Sequence, residues 1–398
     1  MLANGWQLYK LKDIVKLQNG YAFKSNMFIE NEIPIIRINN LQDGKVLIDK
    51  KICYSNEFLE NNKQYEVVMN DILISMSGSI GKVSKYEHTE PSLLNQRVGK
   101  FEILEGIEVD REFLFYYLRS DSFKRAIIKD ANGCVVSNIS AKSIVSCSIP
   151  IPPLDIQKKI VKVLEKAEKT LEKRKKSIAL LDELIKSKFI EMFGDPVKNP
   201  LGWELKPFLD SGNCKNGMNF SANESGVELQ YVGVGDFKDL SKIDNVNALG
   251  KVSLNKIPSN EYILQDGDIL FVRSNGNKEL VGRCLAIYPN GVPTTYSGFC
   301  IRYRKTDDKL EIPYLLQVLK TDSMRKNMAG RGANIQNLNQ QILGSLMIPV
   351  PPIEIQNQFT NFIEHVDKLK FEMEKSLKAL EDNFNSLIQK SFNGELFK

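Results

Sequence analysis

The sequence predicts a mixed α/β chain built from two copies of one module, each a globular domain followed by a long amphipathic helix. The chain has 398 residues, enough for two or three domains. Short motifs recur in the same order in both halves. Two stretches without Gly or Pro carry apolar residues at helical spacing. We therefore expect globular domains at 1–150 and 196–349, with long helices over 151–195 and 350–398 that pair as an antiparallel coiled coil.

The repeat is visible in motifs that contain rare or turn-forming residues. The only two tryptophans lie in Gly-Trp-x-Leu motifs. The recurring pairs are Trp6–Leu8 with Trp203–Leu205, Asn19–Phe23 with Asn216–Phe220, and Asp71–Ile74 with Asp268–Phe271. Since each pair is separated by nearly the same distance along the chain, we interpret the two halves as copies of one fold with a pseudo-two-fold internal repeat.

A proline-rich junction gives the closest match between the two halves. Ile149–Gln157 and Ile348–Gln356 are identical or conservatively substituted at every position. An ordinary linker is the alternative interpretation, but a linker would not be expected twice in the same context. Proline suits the entry to a first helical turn, and the acidic residue that follows, Asp155 or Glu354, is favourable near a helix N-terminus. Each junction therefore predicts the start of a helix.

The two predicted helices carry complementary charge. Residues 154–192 hold eleven basic and seven acidic residues, whereas residues 353–398 hold six basic and eight acidic ones. Two solvated surface helices are the alternative, but opposite net charges on apolar stripes of similar length favour intramolecular pairing. Aligning Leu184-Ile185 with Leu387-Ile388 predicts that the second helix is longer by about one turn.

Composition excludes several classes of protein. Hydrophobic residues make up 42% and charged residues 26%, as in globular domains, and no apolar run is long enough to span a membrane. Six scattered cysteines and two histidines predict neither a disulfide framework nor a metal centre. We expect a cytoplasmic protein, since the first residues lack the order of a secretory signal. The net charge of +5 permits nucleic-acid binding if the positive charge is localised.

In their order and duplication, these motifs resemble the specificity subunits of type I restriction-modification systems. The resemblance covers nearly the whole chain and also includes Ser77–Lys82 and Glu191–Pro196. It implies that the globular parts are target recognition domains, each recognising one half of a bipartite site in double-stranded DNA. The Ser77–Lys82 loop has a longer, Asn-rich and basic counterpart at Arg273–Arg283, which predicts two different half-sites.

The resemblance also implies partners. The paired helices would set the gap between the half-sites and help to dock two methyltransferase subunits, and restriction subunits would join that assembly. The chain itself would be non-catalytic and would bind no cofactor, because S-adenosylmethionine and ATP with magnesium would be bound by the partner subunits only.

Candidate DNA contacts are cations that can meet phosphates and side chains that can form hydrogen bonds with base edges. Ordinary solvated surface is the alternative for each one, so the prediction concerns the set. In the first domain the candidates are Lys24, Arg37, Asn39, Asn40, Lys82, Asn95, Gln96 and Arg97. In the second domain they are Arg273, Asn275, Asn277, Lys278, Arg283, Arg325, Lys326, Arg331, Asn334 and Gln336.

A search for catalytic motifs predicts no catalytic or metal-binding residue. Ser77–Lys82 is not a phosphate-binding loop, because Met76 stands where that motif needs glycine. Gly233-Val234-Gly235 lacks the third glycine of a dinucleotide loop, and the Asn-Pro-Pro-aromatic motif of amino-methyltransferases is missing. Two other interpretations stay open at this point: a coiled-coil scaffold that does not bind DNA, and a DNA-modifying enzyme with an unrecognised active site.

Overall fold

A computed structural model describes residues 5–129, 138–221, 224–237, 241–329 and 337–397. Contacts divide the chain into two compact units. Unit 1 comprises Met1–Lys175 and Lys375–Lys398, and unit 2 comprises Lys176–Glu374. Each long helix therefore contributes one part to each unit.

Unit 1 contains three sheets among its described residues. Its strands are β1 (Gln7–Lys10), β2 (Val15–Asn19), β3 (Ile33–Ile36), β4 (Gly44–Lys45), β5 (Cys53–Tyr54), β6 (Glu66–Val67), β7 (Ile72–Ser75), β8 (Val83–Lys85), β9 (Ser92–Leu94), β10 (Val98–Ile103) and β11 (Ser148–Ile151). The sheet orders are β1-β11, β2-β10-β7-β8-β4 and β5-β3-β9-β6. Four short helices accompany them: α1 (Asn56–Asn61), α2 (Arg111–Arg119), α3 (Asp121–Lys129) and α4 (Ala141–Ser146).

Unit 2 repeats this topology. The long helix α5 (Leu154–Phe193) leads into it. Its strands are β12 (Glu204–Pro207), β13 (Gly212–Asn216), β14 (Val227–Val232), β15 (Lys242–Ile243), β16 (Lys251–Leu254), β17 (Asp268–Val272), β18 (Cys284–Ile287), β19 (Thr294–Tyr296), β20 (Cys300–Lys305) and β21 (Met347–Val350). Its helices are α6 (Ile312–Lys320), α7 (Asp322–Ala329), α8 (Gln340–Gly344) and the long α9 (Ile353–Phe392). The orders β12-β21, β13-β20-β17-β18-β15 and β16-β14-β19 match those of unit 1 strand for strand, apart from β6.

The repeated Asp-Ile-Leu motif forms the central strand of each five-stranded sheet. All residues of β7 and β17 are buried, as expected for a strand that is covered on both faces. The aspartate closes the turn before the strand, because Asp71 accepts a hydrogen bond from the Val68 amide at 2.9 Å and Asp268 accepts one from the Gln265 amide at 2.8 Å. The motif is therefore structural in both copies.

The proline-rich junction holds the start of each long helix against its globular domain. Gln157 is 1% exposed and Gln356 is 0% exposed. In unit 1 the Gln157 amide donates to Pro152 O (2.9 Å) and Glu108 O (3.1 Å), and its oxygen accepts from the Asp110 amide (2.8 Å). Gln356 makes the equivalent three bonds in unit 2, so the spacing from Pro-Pro to Gln that the two halves share has a direct structural cause.

The two long helices are present, but the predicted difference in their lengths is wrong. Both α5 and α9 contain 40 residues. Each ends before a glycine with positive φ, Gly194 at 74° and Gly394 at 72°, which is the usual conformation beyond a helix C-terminus. Apolar residues recur every three or four positions on such a helix, so an alignment displaced by one turn still matches. The matched Leu-Ile pairs lie one turn out of register.

The helices run antiparallel, as contacts inside unit 2 show. Lys370 Nζ lies 2.7 Å from Asp182 Oδ1. Further along α5, Phe189 and Phe193 pack against Phe359, with ring centroids 5.6 and 5.4 Å apart. Successive contacts therefore involve higher residue numbers on α5 and lower residue numbers on α9. The predicted antiparallel pairing is confirmed. Among the described residues, no helix combines the length and hydropathy needed to cross a membrane.

Candidate nucleic-acid interface

In unit 1, the ends of three strands meet at the turn between β9 and β10. This turn consists of Asn95, Gln96 and Arg97. Three backbone hydrogen bonds hold it: Asn95 N to Ile36 O (3.2 Å), Gln96 N to Tyr21 O (2.9 Å) and Met76 N to Arg97 O (3.0 Å). We call this set of bonds the turn frame. It brings the residues that follow β2, β3 and β7 to one place.

Unit 2 builds the same turn frame around the β19–β20 turn, which consists of Ser297, Gly298 and Phe299. The corresponding bonds are Ser297 N to Val232 O (3.0 Å), Gly298 N to Met218 O (2.6 Å) and Arg273 N to Phe299 O (2.7 Å). A fourth bond closes each frame, from Ile139 N to Met76 O and from Leu338 N to Arg273 O, both 2.8 Å. The two copies therefore share a backbone arrangement and differ in the side chains that it carries.

The glycine of the repeated Asn-Gly motif makes this close approach possible. A Cβ atom added to Gly20 would lie 2.1 Å from Leu94 O, and one added to Gly217 would lie 2.1 Å from Ser297 O. Real Cβ atoms do not approach backbone oxygens so closely. Gly20 and Gly217 are thus required because a side chain would not fit, and not because the backbone has a positive φ.

Four of the eight first-domain candidates lie at the turn frame. Gln96 and Arg97 are exposed, and Asn95 is half-buried beside them. Arg37 follows β3, is half-buried, and has its guanidinium 3.8 Å from Asp49. These side chains combine positive charge with amide groups that can form hydrogen bonds with base edges.

Tyr21 joins this group, although sequence analysis did not select it as a contact. It lies in the frame itself and is 37% exposed, and its ring packs near Phe23 (5.1 Å between centroids) and Phe58 (4.9 Å). The repeated Asn-Gly-x-x-Phe motif marks the segment that contains Tyr21. Its contact with the β9–β10 turn could not be predicted, because Tyr21 and Gln96 are far apart in sequence.

The other first-domain candidates are placed differently. Asn40 is buried, donates to Leu47 O at 2.8 Å and accepts from the Arg37 amide at 2.9 Å. It therefore braces the turn after β3 and is not available to a base, so we remove it from the candidates. Lys24 is exposed in a loop, and Asn39 is exposed in the short 3-10 helix Ile38–Asn40. Lys82 is half-buried next to Ser75, one residue from the frame.

In unit 2, Arg273 occupies the frame itself. Its guanidinium donates to Gly298 O at 3.5 Å. The loop that follows is held by its own side chains, because Asn275 Oδ1 accepts from the Asn277 amide (2.8 Å) and Asn277 Oδ1 accepts from the Glu279 amide (3.0 Å). Lys278 is exposed on this loop. The loop thus presents one lysine and a set of amides next to Arg273.

The remaining second-domain candidates divide into three groups. Arg325 donates from α7 to Glu279 O and Val281 O at 3.4 and 3.3 Å, and Arg283 is half-buried at the end of the same loop. Lys326 is exposed and lines a cleft of about 530 Å³ together with Leu205 and Met347. Three candidates lie outside the described residues: Arg331, Asn334 and Gln336.

Metal clusters and reactive thiols are two common kinds of catalytic group. No group of three or more His, Cys, Asp or Glu side chains within them could hold a metal ion. Burial raises the pKa of Cys284 to about 11 and the pKa values of Cys214 and Cys300 to about 12. These thiols are protonated at neutral pH and are therefore poor nucleophiles.

Comparisons with known proteins agree with this architecture. The family described as type I restriction modification DNA specificity domain matches the chain twice, at residues 3–181 and 200–381. The type I restriction enzyme StySPI specificity subunit of Salmonella potsdam is 24% identical, over 99% of this chain and 90% of its own. The EcoKI specificity subunit of Escherichia coli K12 is 23% identical with the same coverage.

The solved structures agree in fold. A chain from a structure on complex assembly and conformational transition of the type I restriction-modification system aligns with a TM-score of 0.60, at 17% identity and with full coverage of both chains. The prediction of a non-catalytic DNA-recognition subunit is confirmed, since the relatives are named as specificity subunits. Neither the scaffold nor the enzyme interpretation is favoured. The chain belongs to the type I restriction-modification DNA specificity family and carries two copies of its domain.

Proposed function

We propose that residues 1–150 and 196–349 are two target recognition domains that recognise different halves of an asymmetric bipartite site in double-stranded DNA. The turn frame is the observation that carries this proposal. The backbone bonds of the two frames agree, whereas Asn95-Gln96-Arg97 stands in one turn and Ser297-Gly298-Phe299 in the other. A shared backbone with divergent side chains is what two recognition domains of different specificity need.

In the first domain, we assign base recognition to the β9–β10 turn. Arg97 can bond in a bidentate manner to guanine, and Gln96 or Asn95 can do so to adenine. Lys24, Arg37, Asn39 and Lys82 are assigned to phosphates and neighbouring bases. In the second domain we propose the described candidates Arg273, Asn275, Asn277, Lys278, Arg283, Arg325 and Lys326, together with Arg331, Asn334 and Gln336.

We further propose that the helices over 151–195 and 350–398 set the gap between the half-sites and help to dock two methyltransferase subunits, which restriction subunits then join in the cytoplasm. S-adenosylmethionine, ATP and magnesium would be bound by those partners. The relatives' names as restriction enzyme specificity subunits, and the complex-assembly structure of similar fold, support this assignment.

The direct test is to express the chain with its methyltransferase and map the methylated positions in a genome. We expect one bipartite motif with two unrelated halves, and binding to this duplex that weakens steeply as salt rises. Methylation without sequence preference, or methylation within one continuous motif that has no gap, would contradict the proposal.

Arg97→Ala should relax the first half-site and leave the second unchanged. Loss of a bidentate contact costs about 1–3 kcal/mol, so affinity for the preferred base should fall by a factor of about 5 to 150 at one position. Binding to a panel of single-base variants measures this. Arg174→Ala, a half-exposed arginine on α5, is the control and should alter neither half. Equal losses at both halves would show that the domains do not act separately.

Deleting seven residues from each long helix, at matching positions, should change only the gap between the two half-sites. Each deletion removes about 10 Å of helix and keeps the apolar stripe in phase. We expect a new preferred gap between two unchanged half-sites when methylated positions are mapped again. An altered half-site sequence would show that the helices do more than separate the domains.

A further inference from the structure

Both turn frames contain one equivalent backbone hydrogen bond that joins an apolar residue to an arginine. The arginine is the acceptor residue in unit 1 and the donor residue in unit 2. In unit 1, Met76 donates its amide to Arg97 O; the methionine is 7% exposed and the arginine is exposed. In unit 2, Arg273 donates to Phe299 O; the arginine is half-buried and Phe299 is 59% exposed. The first domain therefore presents a cation at its turn, and the second presents an aromatic ring at the same position.

Two hydrogen bonds hold the backbone of Phe299 in the frame. Its amide donates to Ser297 Oγ at 3.2 Å, and its carbonyl accepts from Arg273 at 2.7 Å. The preceding residue, Gly298, lies close to the Asn219 side chain, since an added Cβ atom would be 2.1 Å from Asn219 Oδ1. A single exposed apolar side chain is ordinary on a protein surface. Its place in the frame, opposite Arg97 in the repeat, is what indicates a function.

We propose that Phe299 contacts the C5-methyl group of a thymine in the half-site recognised by residues 196–349. This inference rests on the proposed function and adds a base and a chemistry to it. A phenyl ring offers no hydrogen-bond donor or acceptor, and the thymine methyl group is the apolar feature that the major groove presents. The first domain would then select its half-site through hydrogen bonds at this turn, and the second through apolar contact.

The test uses the complex of the full chain with its methyltransferase and the mapped duplex. Each thymine of the second half-site, on either strand, is replaced in turn by deoxyuridine, which removes only the methyl group. At one position, the replacement should lower the affinity of the wild-type complex for the duplex about three- to fivefold, the value expected for the burial of one methyl group. Phe299→Ala should bind the thymine and deoxyuridine duplexes equally, and Phe299→Leu should keep part of the difference.

Ile257→Ala is the matched control, since Ile257 is 65% exposed in the same unit and should leave the methyl sensitivity intact. Recognition of the first half-site by each variant shows that the complex is assembled. A second half-site without thymine, a wild type insensitive to every deoxyuridine, or a Phe299→Ala complex that keeps the sensitivity overturns the proposal. If Phe299→Ala lowers the affinity for the thymine and the deoxyuridine duplexes by the same factor relative to wild type, the ring acts by insertion between bases, and this also overturns the proposal. Failure of the proposed function would be seen separately, as loss of all sequence preference in the wild type.

Discussion

Gly217→Ala should destroy recognition of the second half-site and leave the first intact. The new Cβ atom would lie 2.1 Å from Ser297 O. Backbone bonds hold both sides of this contact, since the Gly217 amide donates to Cys300 O at 3.0 Å and the Met218 amide donates to Tyr296 O at 3.2 Å. The clash can be relieved only if β13 moves away from the β19–β20 turn.

The expected cost is about 3 kcal/mol of unfolding free energy, the upper part of the usual range for overpacking. Displacement of the turn would also remove two or more base contacts, so affinity should fall about a hundredfold for the second half-site. Urea unfolding followed by tryptophan fluorescence measures the first effect, and binding to variant duplexes measures the second.

Gly250→Ala is the matched control, because no atom lies within 4 Å of its added Cβ. It should change the free energy of unfolding by less than about 0.5 kcal/mol, as surface substitutions do. Gly20→Ala should mirror Gly217→Ala on the first half-site. Normal stability and normal recognition of the second half-site in Gly217→Ala would show that the turn frame is not required.

The sequence predicted those parts of the fold whose signals are local. The Pro-Pro junctions mark the starts of both long helices at Leu154 and Ile353, and the apolar stripes indicate their antiparallel pairing. Helix ends were less well predicted, since a stripe that repeats every turn can be aligned one turn out of register. The true ends depend on single glycines, Gly194 and Gly394, beyond the stripe.

The candidate interface was only partly predictable, because its bonds join residues that are distant in sequence. Nothing local shows that Met76 and Arg97 share a hydrogen bond, or that Arg273 and Phe299 do. Residue type was also misleading at Asn40, whose amide is used inside the domain. Phe299 has neither a charge nor an amide group, so its residue type does not mark it as a contact, and its position equivalent to Arg97 is visible only when the two frames are compared.

Gln356→Met should destabilise unit 2 strongly although methionine has nearly the same volume as glutamine. Gln356 is fully buried and makes three hydrogen bonds, to Lys309 O (2.9 Å), to Pro351 O (2.8 Å) and from the Glu311 amide (2.8 Å). Methionine can make none of them, so one amide and two carbonyl groups lose a partner beside a side chain that is itself fully buried. At about 1–3 kcal/mol for each buried unsatisfied group, with some relaxation, we expect a loss of about 3 kcal/mol.

The matched control is Gln358→Met, two residues further along the same helix at an exposed position. It makes the same chemical change and should alter the unfolding free energy by less than about 0.5 kcal/mol. Trp203, the only tryptophan of unit 2, reports on the unfolding of that unit in a Trp6→Phe background. If the two variants unfold at the same urea concentration, then the amide does not hold the junction, and the repetition of this glutamine nine residues into each motif would need another cause. If Gln356→Met alone is destabilised, then this glutamine fixes the junction between the globular part of unit 2 and its helix, which the proposed spacer role requires.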